Sequence, residues 1–227
     1  MNYIKILTFC LLITGTGSAS AFHVDSMLKV FSEKNNHFIL TSEKKEGRDY
    51  IFVSLTEMKL KPDGGYQEIP LNPEAVAEWP IIISPGDIVL DSGDEVKVNI
   101  IRNSPQPADD RVIGVAFIPD AENRMVNGAA LQIALGYKAW LIIPGSAPFK
   151  GNVETYRSEN SIIINNMTNK ILRIGINECQ EHEDKICSDE IISLPGSHKK
   201  IATSGKELSI NIYTLSKPGQ LFRKLKL

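Results

Sequence analysis

Amphipathic helical periodicity is missing from this chain: after Phe22 no stretch of a dozen residues repeats its apolar positions at three- and four-residue spacing, which points away from helix-based architectures. Basic tracts are missing too. Nucleic acid as a partner needs clustered Lys and Arg to displace counterions, so it is excluded on charge pattern. No acidic run marks a charged tail. Long hydrophobic runs are confined to Ile6 to Ile13, far short of the ~20 residues of a membrane-spanning helix. Cysteine is scarce, at three in 227 residues, and histidine is limited to His23, His37, His182 and His198. None of these histidines sits in a motif that joins a nucleophile to a base. Glu178 and His182 have a metal-like spacing but no helix to present it. Thr203-Ser204-Gly205-Lys206 lacks the preceding glycine of a phosphate loop. The expectation is a protein without catalytic residues, cofactor or metal.

The first residues carry Lys5, the short apolar run and small residues ending Ala19-Ser20-Ala21, the pattern of a cleaved signal peptide over residues 1–21. The mature chain is then Phe22 to Leu227. Cleavage takes away Lys5 and no acidic residue, so 25 Lys and Arg become 24 against 27 Asp and Glu, and the formal charge moves from -2 to -3. Cys10 leaves with the leader. Cys179 and Cys187 remain, eight apart in a loop-like stretch, and in an oxidising compartment such a pair is expected to form a disulfide, closing a short loop worth roughly 2 to 3 kcal/mol.

Short β-branched and apolar runs fill the rest, among them His37 to Ser42, Tyr50 to Met58, Glu95 to Ile101, Val112 to Ile118, Ala130 to Ile143, Ser161 to Ile164, Ile171 to Ile176 and Glu207 to Tyr213. Asp63-Gly64-Gly65, Ser84-Pro85-Gly86-Asp87, Ser92-Gly93-Asp94, Asn127-Gly128, Asn165-Asn166 and Pro195-Gly196 punctuate them as turns. The fold expected is all-β, of sandwiches or barrels. A mature length of this order suits two sandwiches of ~100 residues each. Pro144-Gly145-Ser146-Ala147-Pro148 is the natural linker, giving domains 22–144 and 145–227.

Leu131-Gln132-Ile133-Ala134-Leu135 alternates so that Leu131, Ile133 and Leu135 share one face of a strand. Together with Lys138 and Pro144 beyond it, this segment resembles the last strand of the first domain in PapD-like periplasmic pilus chaperones. Ile81 to Arg102 is similar to that family's stretch of proline, glycine and an apolar strand ending in arginine. Ser161 to Arg173, with Cys179, Cys187 and Leu194-Pro195-Gly196, resembles the second domain of the alternative or α-type members. The resemblance spans nearly all of the mature chain. It implies two immunoglobulin-like sandwiches in an L-shaped arrangement with a cleft between them.

It also implies a function. Pilus subunits in that family's system are sandwiches short of one strand, and the chaperone lends an edge strand whose alternate side chains fill the open groove. Leu131, Ile133 and Leu135 are then the subunit-binding residues. Lys138 on the same strand and Lys29 near the start of the chain are the basic side chains that would anchor the subunit's terminal carboxylate. The partners implied are fimbrial subunits and an outer-membrane usher, in the periplasm, with self-association through the exposed strand when no client is bound. The competing reading is a structural subunit or adhesin-like sandwich, for which two domains and a strand beginning near Phe22 are unexpected.

Overall fold

The structure is a computed structural model that describes residues 22–63, 65–120, 135–177, 188–203, 207–215 and 221–226. The first half contains β1 (Phe22–Val24), β2 (Leu28–Val30), β3 (His37–Ser42), β4 (Arg48–Leu60), β5 (Tyr66–Pro70), β6 (Ile81–Ser84), β7 (Asp87–Asp91), β8 (Glu95–Arg102), β9 (Arg111–Pro119) and β10 (Tyr137–Ile143). They form two sheets, β1-β3-β8-β6 and β2-β10-β9-β4-β5, with β7 also on β4. The long β4 serves two partners on one side: Arg48 to Phe52 pairs with β7 and Thr56 to Leu60 with β5. Alternation decides what lies between the sheets. Phe38 and Leu40 of β3, Val98 and Ile100 of β8, Ile51 and Leu55 of β4, Ile113, Val115 and Phe117 of β9, and Ala139, Leu141 and Ile143 of β10 form one core, so each strand buries every second residue.

The second half contains β11 (Gly151–Ser158), β12 (Ser161–Thr168), β13 (Leu172–Asn177), β14 (Ser188–Ser193), β15 (His198–Ala202), β16 (Ser209–Thr214) and β17 (Leu221–Lys226). Its sheets are β11-β12-β15 and β14-β13-β16-β17. Val153, Ile162, Ile164, Leu172, Ile174, Ile176, Leu208, Ile210 and Ile212 make a separate core. The chain is thus an all-β protein of two sandwiches. The turn expected at Asn165-Asn166 is instead part of β12. Asn166 can sit fully buried within a strand because its amide donates to Lys170 O and Ser193 O and its Oδ1 accepts from Thr168 N and Oγ1, leaving no unsatisfied polar atom.

Several contacts join the halves. Val112 and Ile142 meet Ile171 and Leu215, with Val30, Met58, Trp140, Ile192 and Leu194 packed around them. Beside this apolar cluster, Asp110 accepts from Lys170 Nζ at 3.2 Å, Gly145 N at 2.7 Å and Ile171 N at 2.7 Å. Lys170 Nζ also donates to Gly145 O at 2.9 Å. Both charged side chains are buried, at 3% and 1% exposure. The segment after Pro144 is stitched to the preceding loop through Ser146 N to Pro107 O and Ala147 N to Ala108 O, both 2.8 Å. Gly145 permits this close approach, since a Cβ there would lie 2.3 Å from Ala108 O. The tip of the β4–β5 hairpin completes the junction, with Tyr66 Oη donating to Pro195 O. Burial pushes the Tyr66 phenol up to about 12, consistent with a hydroxyl held as a donor.

Candidate functional site

β10 lies beside β9 over its whole length, Tyr137 opposite Phe117 and Ile143 opposite Arg111. On its other side β2 covers it only from Trp140 to Ile142, in parallel register with Leu28 to Val30. Among the described strands, Tyr137 to Ala139 are therefore paired on β9 alone, the arrangement of an edge. The core-facing row of this strand changes character along its length. Leu141 and Ala139 are 0% exposed, Tyr137 is half-buried with its ring 5.2 Å from Phe22, and Leu135, next in the row, is 57% exposed. Gly136 keeps the backbone against β9 at this point, since a Cβ would lie 2.7 Å from Phe117 O. Leu131 and Ile133 lie outside the described residues, as do Cys179 and Cys187.

Lys138 stands on the opposite face of β10, the outer face of the five-strand path. Its ammonium is 5.2 Å from the centre of the Trp140 ring and is ion-paired to Glu68 of β5. Trp140 belongs to the apolar cluster that joins the two halves, so Lys138 lies at the edge of the inter-domain junction. The side chain has room because β9 carries Gly114 beneath it: a Cβ there would lie 2.5 Å from Thr56 Oγ1 and 2.6 Å from Lys138 Cε. Thr56 Oγ1 donates to Glu68 Oε2 at 3.1 Å. The hydrogen bond from Lys138 outweighs burial and holds the Glu68 carboxyl below the usual carboxylate range.

Lys29 is placed elsewhere. It is on β2 opposite Leu141, so its side chain points inward, and it is 7% exposed. Its Nζ lies 2.6 Å from Asp25 Oδ2 and 5.1 Å from the Phe38 ring centre. Lys138 and Lys29 therefore occupy opposite faces of one sheet and do not converge.

A cleft of about 620 Å³ runs between the halves, lined by the end of β4, Tyr66, residues 107–112, Asn169, Ile171, Leu194 and Pro195. Its cations are Arg111, 2.5 Å from Glu57 Oε1, and Lys59, 2.8 Å from Glu57 Oε2. Burial of Glu57 opposes ionisation, but the hydrogen bonds from Arg111 and Lys59 prevail and its carboxyl sits below the usual range. Glu68, Thr56, Gly114 and Glu57 were not singled out by motif. The signal available for them was the Asp63-Gly64-Gly65 turn, which as a hairpin lays residues 66–70 against 56–60 and sets Glu68 opposite Met58.

Residues 24–144 match the family described as the CS5 fimbrial protein N-terminal domain. The chain belongs to that family. An Escherichia coli relative, described as an uncharacterized 25.9 kDa protein in the CS5 3′ region, is 36% identical over 199 residues, covering 85% of this chain and 88% of the relative. The fold is that of fimbrial chaperones. The class 5 fimbriae chaperone CfaA superposes with a TM-score of 0.58 at 14% identity, over 91% of this chain and 98% of its own. A chain from the complex of Salmonella enterica SafA pilin with the SafB chaperone gives 0.55 at 12% identity, over 91% and 95%. The resemblance to pilus chaperones thus holds for the fold, and the family shown is a fimbrial one.

Proposed function

We propose that this CS5-family protein is a periplasmic chaperone that holds incomplete fimbrial subunits by donating the strand running from Leu131 into β10, and that it passes them to an outer-membrane usher. The observation that carries the reading is the single row of Leu141, Ala139, Tyr137 and Leu135, which starts inside the protein's own core and emerges from it. A client sandwich short of one strand has the complementary defect, an open row of core pockets beside unpaired main-chain groups. Seating Leu131, Ile133 and Leu135 there is worth ~1.5 to 3 kcal/mol per fully buried side chain before ordering costs.

In this reading residues 1–21 direct export and are removed, and the two sandwiches meet at Pro144. Cys179 and Cys187 pair in the oxidising compartment. The binding step involves no bond making, so the protein works without catalytic residues. Lys138 is the anchor for the client's terminal carboxylate, a charge-assisted contact worth roughly 1.5 to 3 kcal/mol. Lys29, buried and paired with Asp25, takes no part in that anchor. Usher delivery is a further step of the same proposal, supported by the fimbrial family to which the chain belongs.

The test is co-expression with a candidate fimbrial subunit, followed by purification from the periplasm. A one-to-one complex is expected, and Ile133→Asp with Leu135→Asp should abolish it while leaving the chaperone folded. No complex, or one indifferent to both substitutions, would overturn the assignment.

A further inference from the structure

The meeting of Lys138 with Glu68 is unusual for a surface ion pair. β10 and β5 are three strand spacings apart in the sheet, roughly 14 Å at ~4.8 Å per strand. Two long side chains must extend toward each other across β9 and β4 to touch. They do so above Gly114 and Thr56, which are paired across those two strands. The Lys138 stem and the Thr56 hydroxyl fill the space that a side chain at Gly114 would take, and Trp140 walls it on one side. The result is a polar cluster on the outer face, packed over a glycine, with two donors aimed at one carboxylate oxygen: the Lys138 ammonium and the Thr56 hydroxyl both contact Glu68 Oε2. Lys138 is 34% exposed and Glu68 37%, so the pair is open to solvent.

With Lys138 already read as the anchor for the client's terminal carboxylate, we propose that Glu68 occupies that anchor in the free protein as an internal stand-in which the client displaces, and that the Thr56 hydroxyl is its second donor. The inference rests on the chaperone reading and deepens it. Ordering two long side chains for a half-exposed pair brings little stability, whereas a carboxylate supplied by the protein keeps the cation covered when no client is present. Thr56 takes the place of a second cationic anchor. A carboxylate carried on a flexible side chain can swing out when a competing one arrives, and it can return when the client leaves. Glu68 therefore sets both the affinity of capture and the ease of release, and its removal should strengthen binding, the opposite of what loss of a contact residue does. Were Glu68 to cover the site nine-tenths of the time, removing it would raise affinity about tenfold.

The experiment uses the mature protein and its Glu68→Gln, Thr56→Val and Lys138→Ala variants. The probe is an N-acetylated tetrapeptide with a free terminal carboxylate, compared with the same peptide amidated, followed through the Trp140 indole N–H resonance. The free acid should bind Glu68→Gln several-fold more tightly than wild type. The amide should show no gain, and adding Thr56→Val or Lys138→Ala should erase it. Equal affinity of wild type and Glu68→Gln for the acid would overturn the stand-in and leave an ordinary cross-sheet ion pair. The co-expressed subunit separates the two levels. Capture by wild type with no gain in Glu68→Gln removes the stand-in and keeps the chaperone; a peptide gain without subunit capture removes the chaperone reading and keeps the carboxylate site.

Discussion

At the scale of single residues, the site depends on positions whose value lies in what they leave out or hold apart. Gly114→Ala would force Thr56 and Lys138 off their positions, because the added methyl falls within 2.6 Å of both. Overpacking of that kind costs roughly 1 to 3 kcal/mol. Urea unfolding should register that loss, and the Glu68 carboxyl should return toward the ordinary range when titrated by NMR. Glu57 makes a pH-dependent contribution of definite sign. Its folded-state carboxyl is lowered relative to an unfolded value of about 4.3. The associated stability is then fully present above that value and drains away as pH falls through the lower folded-state value. Glu57→Gln should flatten the acid side of the stability curve below pH ~4.3 and leave its neutral slope unchanged, measured by thermal unfolding across pH. An unaltered acid limb would show that other carboxylates govern it.

At the scale of elements, one alternating row along β10 runs from the core at Leu141 out to the exposed Leu135. Leu141→Ala should cost about 2 to 5 kcal/mol, since it opens a cavity in a packed core. Leu135→Ala should cost under about 0.5 kcal/mol, since the side chain is largely in water. Chemical denaturation of the two variants checks the contrast, and similar losses would place Leu135 inside the core after all. The strands legible in the sequence were those with a buried face: His37–Ser42 coincides with β3, Glu95 to Ile101 with β8 to within a residue, and Val112 to Ile118 with β9 to within one at each end. Those not anticipated were edge or short strands such as β5, β11, β15 and β17, whose residues are mostly exposed. They are held by main-chain pairing to a neighbour, which leaves little hydrophobic alternation to read. The site was legible to a similar degree. Lys138 was visible through the resemblance of its strand to that of pilus chaperones, while Glu68 was not, because its partner lies across three strand spacings and only the fold brings the two together.

At the scale of the molecule, two sandwiches are joined by apolar packing and by the buried Asp110–Lys170 pair. Asp110, on the first sandwich, is the acceptor for three donors, two of them the main-chain N–H groups of the linker's Gly145 and of Ile171 in the second sandwich. Asp110→Ala leaves a buried ammonium with Gly145 O as the partner that remains from this network and should cost about 3 to 5 kcal/mol. Its unfolding should split toward two transitions, and its small-angle scattering should show a wider spread of inter-domain geometries. A single cooperative transition at wild-type stability would mean that the apolar cluster alone fixes the junction. On the proposed function a fixed junction matters, because Lys138, at the edge of the Trp140 cluster, and the strand leading to Leu135 would meet one client together.

The central claim is strand donation, and main-chain protection reads it directly. Amide hydrogen exchange of residues 131–139 should be compared in the free protein and in its one-to-one complex with a fimbrial subunit. Donation predicts alternating, strong protection of this segment on binding, with the β9-facing amides from Tyr137 on already protected in the free state. Protection confined to other surfaces, with residues 131–139 exchanging as fast in the complex as in the free protein, would contradict it.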